Sequence, residues 1–129
     1  MQTQKDKNMQ IIADGVKEKI DCEFSDSRLC TVMIADELHL PSRKISKIFK
    51  DIYGMSITEY ITQVRLEFAA RLQMENKFTV MEVARKVGFE NEAYFYRQFK
   101  ERYKMTPKQY VYERIVNHVK GDENGDEKE

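Results

Sequence analysis

Two stretches of the chain repeat one another at a nearly constant spacing. Residues 34–60 read IADELHLPSRKISKIFKDIYGMSITEY, and residues 83–110 read VARKVGFENEAYFYRQFKERYKMTPKQY. Matched residues lie 49 positions apart at first and 50 apart once a residue is added in the second turn, as in Ile34 with Val83, Ala35 with Ala84, Leu38 with Val87, Ile45 with Phe95, Phe49 with Phe99, and Tyr60 with Tyr110. A repeat this regular indicates that one structural unit occurs twice.

Each unit is predicted to hold a short helix, a tight turn and a longer helix. In the first unit, Pro41 disfavours helix at the residue before it, and Gly54 is a favoured residue at a helix end. This arrangement is a helix-turn-helix. Helical repeat proteins that bind only other proteins also show repeats, but they need about three units, and this chain has two.

The composition and the remaining periodicity predict an all-α fold. The 129 residues include only 5 Gly and 2 Pro, and an amphipathic helix is predicted over 9–24, where Ile12, Val16 and Ile20 recur at helical spacing. A long helix over about 56–73 joins the two units. Three capping boxes predict helix starts, at Ser56, Thr79 and Thr106.

The expected organisation has four parts. Residues 1–8 are expected to be disordered, 9–76 to hold the first helix, the first helix-turn-helix unit and the linker helix, and 77–119 to hold the second unit and the C-terminal helix. Residues 120–129, KGDENGDEKE, contain no apolar residue and are expected to form a disordered acidic tail.

The formal net charge of zero is a cancellation between segments. Residues 1–42 carry 5 basic and 8 acidic residues (net −3), residues 43–119 carry 15 and 9 (net +6), and residues 120–129 carry 2 and 5 (net −3). Zero net charge taken alone argues against a nucleic-acid partner, but the segment that holds both units is basic.

The second helix of each unit is predicted to be basic on the face opposite its apolar stripe. At 100° per residue, the positive residues of the first unit fall within about 40° of the pole opposite Ile45. The second unit shows the same arrangement opposite Phe95. The residues at these two poles are Arg43, Lys47 and Lys50, and then Ala93, Arg97, Lys100 and Lys104. Such a helix can offer arginine to guanine edges and lysine to phosphates, although a solvated face is the simpler explanation for either helix alone.

Residues 30–113 resemble the DNA-binding domain of the AraC/XylS family of transcription regulators. The matching stretches are IADELHLPSRKISKIFKDIYGMSITEYI, RLEFAARL and VMEVARKVGFENEAYFYRQFKERYKMTPKQY. The resemblance implies a seven-helix tandem helix-turn-helix domain whose two units are joined by a long linker helix. It also implies base contacts from the outward residues of the two recognition helices, which here are Arg43, Ser46, Lys47, Glu92, Ala93, Tyr94, Tyr96 and Arg97.

Several residues depart from the pattern of the family. Cys30 and Pro41 stand where a capping Ser or Thr is usual, so weaker helix starts are expected in the first unit. His39 and Lys104 each replace a glycine that the other unit keeps.

Two departures affect base recognition by the second unit. Ala93 replaces a usual Ser, and Glu92 would repel phosphate unless it accepts from a cytosine amino group. Arg97 is therefore the best candidate for base recognition in that unit.

These patterns predict a sequence-specific double-stranded DNA-binding transcription regulator that inserts helices at about 42–53 and 92–104 into successive major grooves. Three further residues complete the predicted DNA-binding set, Ser42, Lys44 and Asn91. The alternative is a helical protein-interaction module of the same fold that binds RNA polymerase or a partner regulator and binds DNA little.

No enzyme, metal or cofactor motif is found in the sequence. Cys22, Cys30, His39 and His118 lack the spacing of metal ligands, and no apolar run of about 18 residues predicts a membrane span. We expect a cytoplasmic protein whose partner is double-stranded DNA, with RNA polymerase as a further partner. No small-molecule effector is expected to bind within this chain, and the expected state is a monomer, or a dimer formed through a missing domain.

Overall fold

The computed structural model describes residues 3–128, with side chains described for residues 3–118. This part of the chain forms seven helices and no strand, α1 (Gln4–Glu23), α2 (Thr31–Leu38), α3 (Ser42–Tyr53), α4 (Ile57–Met74), α5 (Val80–Lys86), α6 (Glu92–Tyr103) and α7 (Pro107–Lys128). The prediction of an all-helical tandem helix-turn-helix domain is confirmed, since α2 with α3 and α5 with α6 form the two units on either side of α4.

Local chemistry explains most of the helix starts. Thr106 forms the complete predicted capping box, because its hydroxyl accepts from the Gln109 amide at 3.2 Å and the Gln109 side chain accepts from the Thr106 amide at 2.9 Å. The hydroxyls of Ser56 and Thr79 each accept from the amide three residues on. Within the described residues, neither Ser56 nor Thr79 donates its own backbone N–H to the glutamate side chain, so the second bond of the capping box is absent at both. Cys30 and Pro41 provide no side-chain cap, as expected.

The N-terminal helix begins earlier than predicted. Helix α1 starts at Gln4, so the prediction that residues 1–8 are disordered is wrong from residue 4 onward, while residues 1 and 2 lie outside the described residues. The cause is a capping box in which Thr3 and Asp6 exchange hydrogen bonds. At the other end, the backbone of α7 is helical to Lys128, although residues 120–129 were expected to form a disordered tail. The side chains of that stretch lie outside the described residues.

Four backbone positions with positive φ close the two units, and they lie at matched positions of the repeat. His39 and Lys104, which replace glycines, adopt left-handed conformations with φ of 57° and 61°. Gly54 and Gly88 have φ of 76° and 105°. This conformation costs L-residues about 1 kcal/mol. At His39 and Lys104 the cost is offset by backbone hydrogen bonds, which their amides donate to the carbonyls of Asp36 and Lys100.

Two hydrophobic cores share the helix α4. The first core joins α1, α2, α3 and the first half of α4, around Phe49, and the second joins the last half of α4 to α5, α6 and α7, around Phe95 and Phe99. Phe24, just after α1, packs against both cores. The linker helix is therefore part of both units and not a spacer between them.

Polar contacts join α1 to α3 and to α4. The Tyr53 hydroxyl donates to Asp14, and the Tyr60 hydroxyl donates to Asp21 at 2.7 Å. The bond from Tyr53, supported by one from Gln10, lowers the pKa of Asp14 below its ordinary value of 3.8. None of the helices in the described residues has the length and hydropathy that crossing a membrane requires.

Candidate nucleic-acid interface

Helix α3 buries one face and exposes a basic one. Ile45, Ile48 and Phe49 are buried, and Ile45 and Phe49 belong to the first core. Arg43 and Lys47 are exposed on the opposite side of the helix. Lys44 and Lys50 are exposed as well, so the predicted separation of faces is present in the structure.

Helix α6 repeats this arrangement. Phe95 and Phe99 are fully buried, while Ala93, Arg97 and Lys100 are exposed. Residues 41–50 and 91–100 share the same burial class at nine of ten matched positions, the exception being Ile48, which is buried, against Gln98, which is half-buried. The sequence repeat is therefore also a repeat of which side chains face outward.

The other predicted residues lie at different depths in the surface. Tyr94, at 37% exposure, and Asn91 are exposed. The half-buried members are Ser42, Ser46, Glu92 and Tyr96.

Asn91 has a local role that the sequence analysis did not assign. Its side-chain oxygen accepts from the Tyr94 amide at 3.0 Å and caps the N-terminus of α6. That oxygen therefore accepts a hydrogen bond within the protein, and the side-chain NH₂ group is the part of Asn91 that can donate to a phosphate.

Two tyrosines of α6 make contacts within the protein. The Tyr94 ring lies 6.0 Å from the Phe89 ring and 5.9 Å from the Arg97 guanidinium. Tyr94 also lines a cleft of about 500 Å³ between α6 and the first half of α4. Tyr96 packs edge-on against Phe95 at 6.1 Å.

Glu92 and Lys104 lie at the two ends of the second recognition helix. Glu92 lines a cavity of about 180 Å³ together with Arg85, in the groove between α5 and α6. Lys104 follows the last residue of α6 and is left-handed, so the helical projection used for its predicted direction does not apply. The predicted helix bound of 104 is corrected to Tyr103 because the Lys104 conformation ends the helix.

Lys5 is a residue of this surface that the sequence analysis missed. It lines a groove of about 670 Å³ between α1 and α3, together with Lys44 and Lys47. The sequence contained a signal for this position, since Thr3 and Asp6 have the spacing of a capping box. Such a box starts α1 at Gln4 and places Lys5 in the first turn of the helix.

Within the side chains that the structure describes, no group of three His, Cys, Asp or Glu residues could hold a metal ion. Cys22 and Cys30 are free thiols on the surface. The chemistry that the surface offers is that of guanidinium, ammonium, hydroxyl and aromatic groups, and it suits an anionic polymer.

Two helix-turn-helix units on a shared helix, each with an outward basic helix, define a tandem helix-turn-helix domain. A family model described as a helix-turn-helix domain matches residues 34–112. The chain belongs to the AraC-type helix-turn-helix family.

Relatives and solved structures agree with this assignment. An uncharacterised HTH-type transcriptional regulator of Haemophilus influenzae is 39% identical over 110 residues, covering 74% of this chain and 37% of that protein. The C-terminal domain of AraT, a response regulator from Geobacillus stearothermophilus, is 29% identical with a TM-score of 0.75, covering 78% of this chain and 83% of that domain.

A third similarity concerns the fold alone. The DNA-binding domain of the global transcriptional factor AdpA, solved in complex with a target DNA, has a TM-score of 0.75 at 17% identity and covers 81% of this chain and 94% of that one. The present chain spans less than half of the length of the curated relatives that it matches.

Proposed function

We propose that the chain binds double-stranded DNA sequence-specifically and regulates transcription, with α3 and α6 entering successive major grooves. The observation that carries the proposal is the repeated basic face. Two helices with matching burial patterns expose Lys47 and Lys50 in one unit and, at the matched positions, Arg97 and Lys100 in the other. Chance exposure of charge would not be expected to choose matched positions twice.

The two kinds of basic residue suit different parts of a duplex. Arg43 and Arg97 can each donate two hydrogen bonds to one guanine in the major groove. Lys44, Lys50 and Lys100 suit phosphates, which position the protein but carry little sequence information. Successive major grooves on one face of DNA lie about 34 Å apart, and a rigid α4 that belongs to both cores is suited to holding two helices at such a separation.

The relatives support the same conclusion at the level of the family. Their names describe transcription regulators, and the AdpA domain of similar fold is bound to DNA. We propose that this protein acts in the cytoplasm as a regulator without catalytic activity.

Selection of bound duplexes from a random pool, followed by titration of variants on the selected sequence, tests the proposal. Arg43→Ala and Arg97→Ala should each weaken binding by about 1–3 kcal/mol and relax the preference at one position, in opposite halves of the site. Arg71→Ala is the matched control, because Arg71 is exposed on α4, 5.2 Å from the Phe68 ring, in a groove shared with α7. Unchanged affinity and preference in both test variants would show that the assigned faces do not recognise bases.

An exposed apolar patch on α7 favours a second candidate function, binding to RNA polymerase or to a partner regulator. Tyr112 is 67% exposed and Ile115 is 53% exposed on this helix. Residues three apart are neighbours on a helix surface, and exposed apolar side chains that lie together are typical of protein contacts. Titration with random duplex at low salt separates the two functions. Absence of binding would favour the protein-interaction module.

The acidic residues of 120–129 give the proposal a second test. They carry a net charge of −3, which opposes the approach of phosphate over about one Debye length. Removal of 120–129 should strengthen binding to random duplex at low salt and leave the helical circular dichroism of the rest intact. Equal low-salt affinity would show that the segment does not act on DNA binding.

A further inference from the structure

Helix α4 passes from one hydrophobic core to the other at a single residue. Val64 is buried in the first core and Leu66 in the second. Arg65 lies between them and is half-buried. A charged side chain at this boundary needs partners, because burial of an unpaired charge is costly.

Arg65 finds those partners in the loop between α1 and α2. Its Nε donates to the Phe24 carbonyl at 2.8 Å, and its Nη2 donates to the Asp26 carbonyl at 2.9 Å. The guanidinium also lies 5.9 Å from the ring of Phe89, in the turn of the second unit. One side chain therefore touches the α1–α2 loop of the first unit and the turn of the second unit.

Gly88 brings the second turn close to the same loop. A Cβ added to this residue would lie 2.6 Å from the Phe24 carbonyl oxygen and 2.7 Å from Arg65 Nε. Two residues further on, Glu90 accepts a hydrogen bond from the Ser27 hydroxyl at 2.9 Å. The absence of a side chain at Gly88 is what allows the turn to reach Phe24 and Arg65.

Aromatic packing completes the contact. The Phe24 ring lies 4.4 Å from the ring of Phe68 on α4, and Phe24 packs against both cores. Burial lowers the pKa of Arg65, and the nearby Asp26 opposes that shift. We call Phe24, Arg65 and Gly88 the joint.

We propose that the joint fixes the placement of the second helix-turn-helix unit relative to the first, and so sets the base-pair spacing between the two halves of a DNA site. Arg65 is a positioning residue, since it lies on α4 and its bonds are to the α1–α2 loop of the protein itself. The part of this inference that concerns DNA spacing rests on the proposed function, whereas the part that concerns the placement of the units does not.

Distance measurement without DNA tests the placement of the units. Spin labels at Lys47→Cys and Arg97→Cys, in a Cys22→Ser/Cys30→Ser background, report the separation of α3 and α6 by pulsed electron paramagnetic resonance. Arg65→Met should broaden or shift the distance distribution, whereas Arg71→Met on the same helix should not. An unchanged distribution in a folded Arg65→Met protein would overturn the proposal.

Two glycine variants supply a second test that does not depend on Arg65→Met folding. Gly54 and Gly88 both have positive φ, so alanine is strained at each, but only Gly88 has atoms within 4 Å of the added Cβ. Gly88→Ala should therefore change the label distribution, and Gly54→Ala should leave it as in the parent. The same distribution in both variants would overturn the proposal.

A series of duplexes that vary in spacing tests the consequence for DNA binding. One added base pair moves the second groove by about 3.4 Å and turns it by about 35°, so a rigid protein should show one sharp optimum. Arg65→Met should flatten this spacing profile while its affinity for a duplex with one half-site stays that of the wild type. An unchanged profile in Arg65→Met would overturn the inference about spacing.

The two experiments separate failure of the inference from failure of the proposed function. If the unmodified protein binds no duplex, the proposed function fails, and the label distances still decide whether the joint holds the units. If the unmodified protein binds duplexes with a spacing optimum but Arg65→Met does not change the spin-label distances, the inference about the joint is refuted and the proposed function stands.

Discussion

Replacing Lys50 and Lys100 by glutamine is expected to flatten the salt dependence of DNA binding and leave the fold intact. The two lysines occupy matched outward positions on α3 and α6, and both are exposed. Within the described residues, the ammonium group of neither lysine takes part in a hydrogen bond or an ion pair. Their removal should therefore cost little stability, and any loss of binding would come from the lost phosphate contacts.

The size of the effect follows from counterion release. The logarithm of the binding constant falls with the logarithm of salt concentration at a slope of about −0.9 for each phosphate neutralised, so two lost contacts change the slope by about 1.8. Between 0.05 and 0.2 M salt, a fourfold rise, the wild type should therefore lose about 12-fold more affinity than the double variant. Each single variant should change the slope by about 0.9.

Fluorescence anisotropy with a labelled duplex at several salt concentrations measures these slopes. Arg71→Gln is the control, since it removes one positive charge from the part of α4 that faces α7, and its slope should stay close to that of the wild type. A double-variant slope equal to the wild-type slope would refute the assignment of these lysines to phosphates. An equal change in the control would show that the effect comes from total charge.

Three further changes concern stability. Cys30→Ser should stabilise the protein by about 1 kcal/mol in urea unfolding, because Cys30 has the extended backbone of an N-cap but forms no capping bond, which a serine hydroxyl can supply. Cys22→Ser, within α1, is the control, and equal effects in the two variants would contradict the capping argument. Gln73→Leu should also raise the free energy of unfolding in urea by about 1 kcal/mol, because the Gln73 amide nitrogen is buried without a hydrogen-bond partner in the described residues. A lowered free energy of unfolding would show that this amide is satisfied. Tyr53→Phe should reduce stability at neutral pH and make the loss of stability on acidification below about pH 4 less steep. The sign follows because the Tyr53 hydroxyl lowers the pKa of Asp14 below 3.8, so its contribution is present above that value and is lost as pH falls through the lower folded pKa; an unchanged pH profile would contradict it.

Much of the fold could be predicted because the signals that define its helices are local. The start of α7 is specified by Thr106 and Gln109, which are three residues apart, and the end of α3 by Gly54. The end of α2 near His39 was predicted from Pro41, whereas the end of α6 was predicted one residue too late, at Lys104. The start of α1 was missed because Thr3 and Asp6 lie outside the apolar periodicity that marked the helix.

The basic faces were predictable for a similar reason, since 100° per residue fixes which side chains oppose a buried stripe. The prediction was less accurate at the helix ends. Asn91 caps α6 with its side-chain oxygen, and Lys104 lies beyond the last helical residue. A projection along an ideal helix contains no information about either arrangement.

The joint could not be predicted because its bonds connect residues that no periodicity relates. Arg65 reaches carbonyls 41 and 39 positions earlier in the chain. Gly54 and Gly88 look alike in the sequence, since each is a glycine after a predicted helix, and both have a positive φ in the structure. Their surroundings differ, because the space around Gly54 is open and that around Gly88 is filled by Phe24 and Arg65. Gly54 ends a helix. Gly88 supplies the positive φ of a turn and also leaves room for Phe24 and Arg65 against that turn. Only at Gly88, therefore, does a local requirement of the backbone also determine how the two units meet.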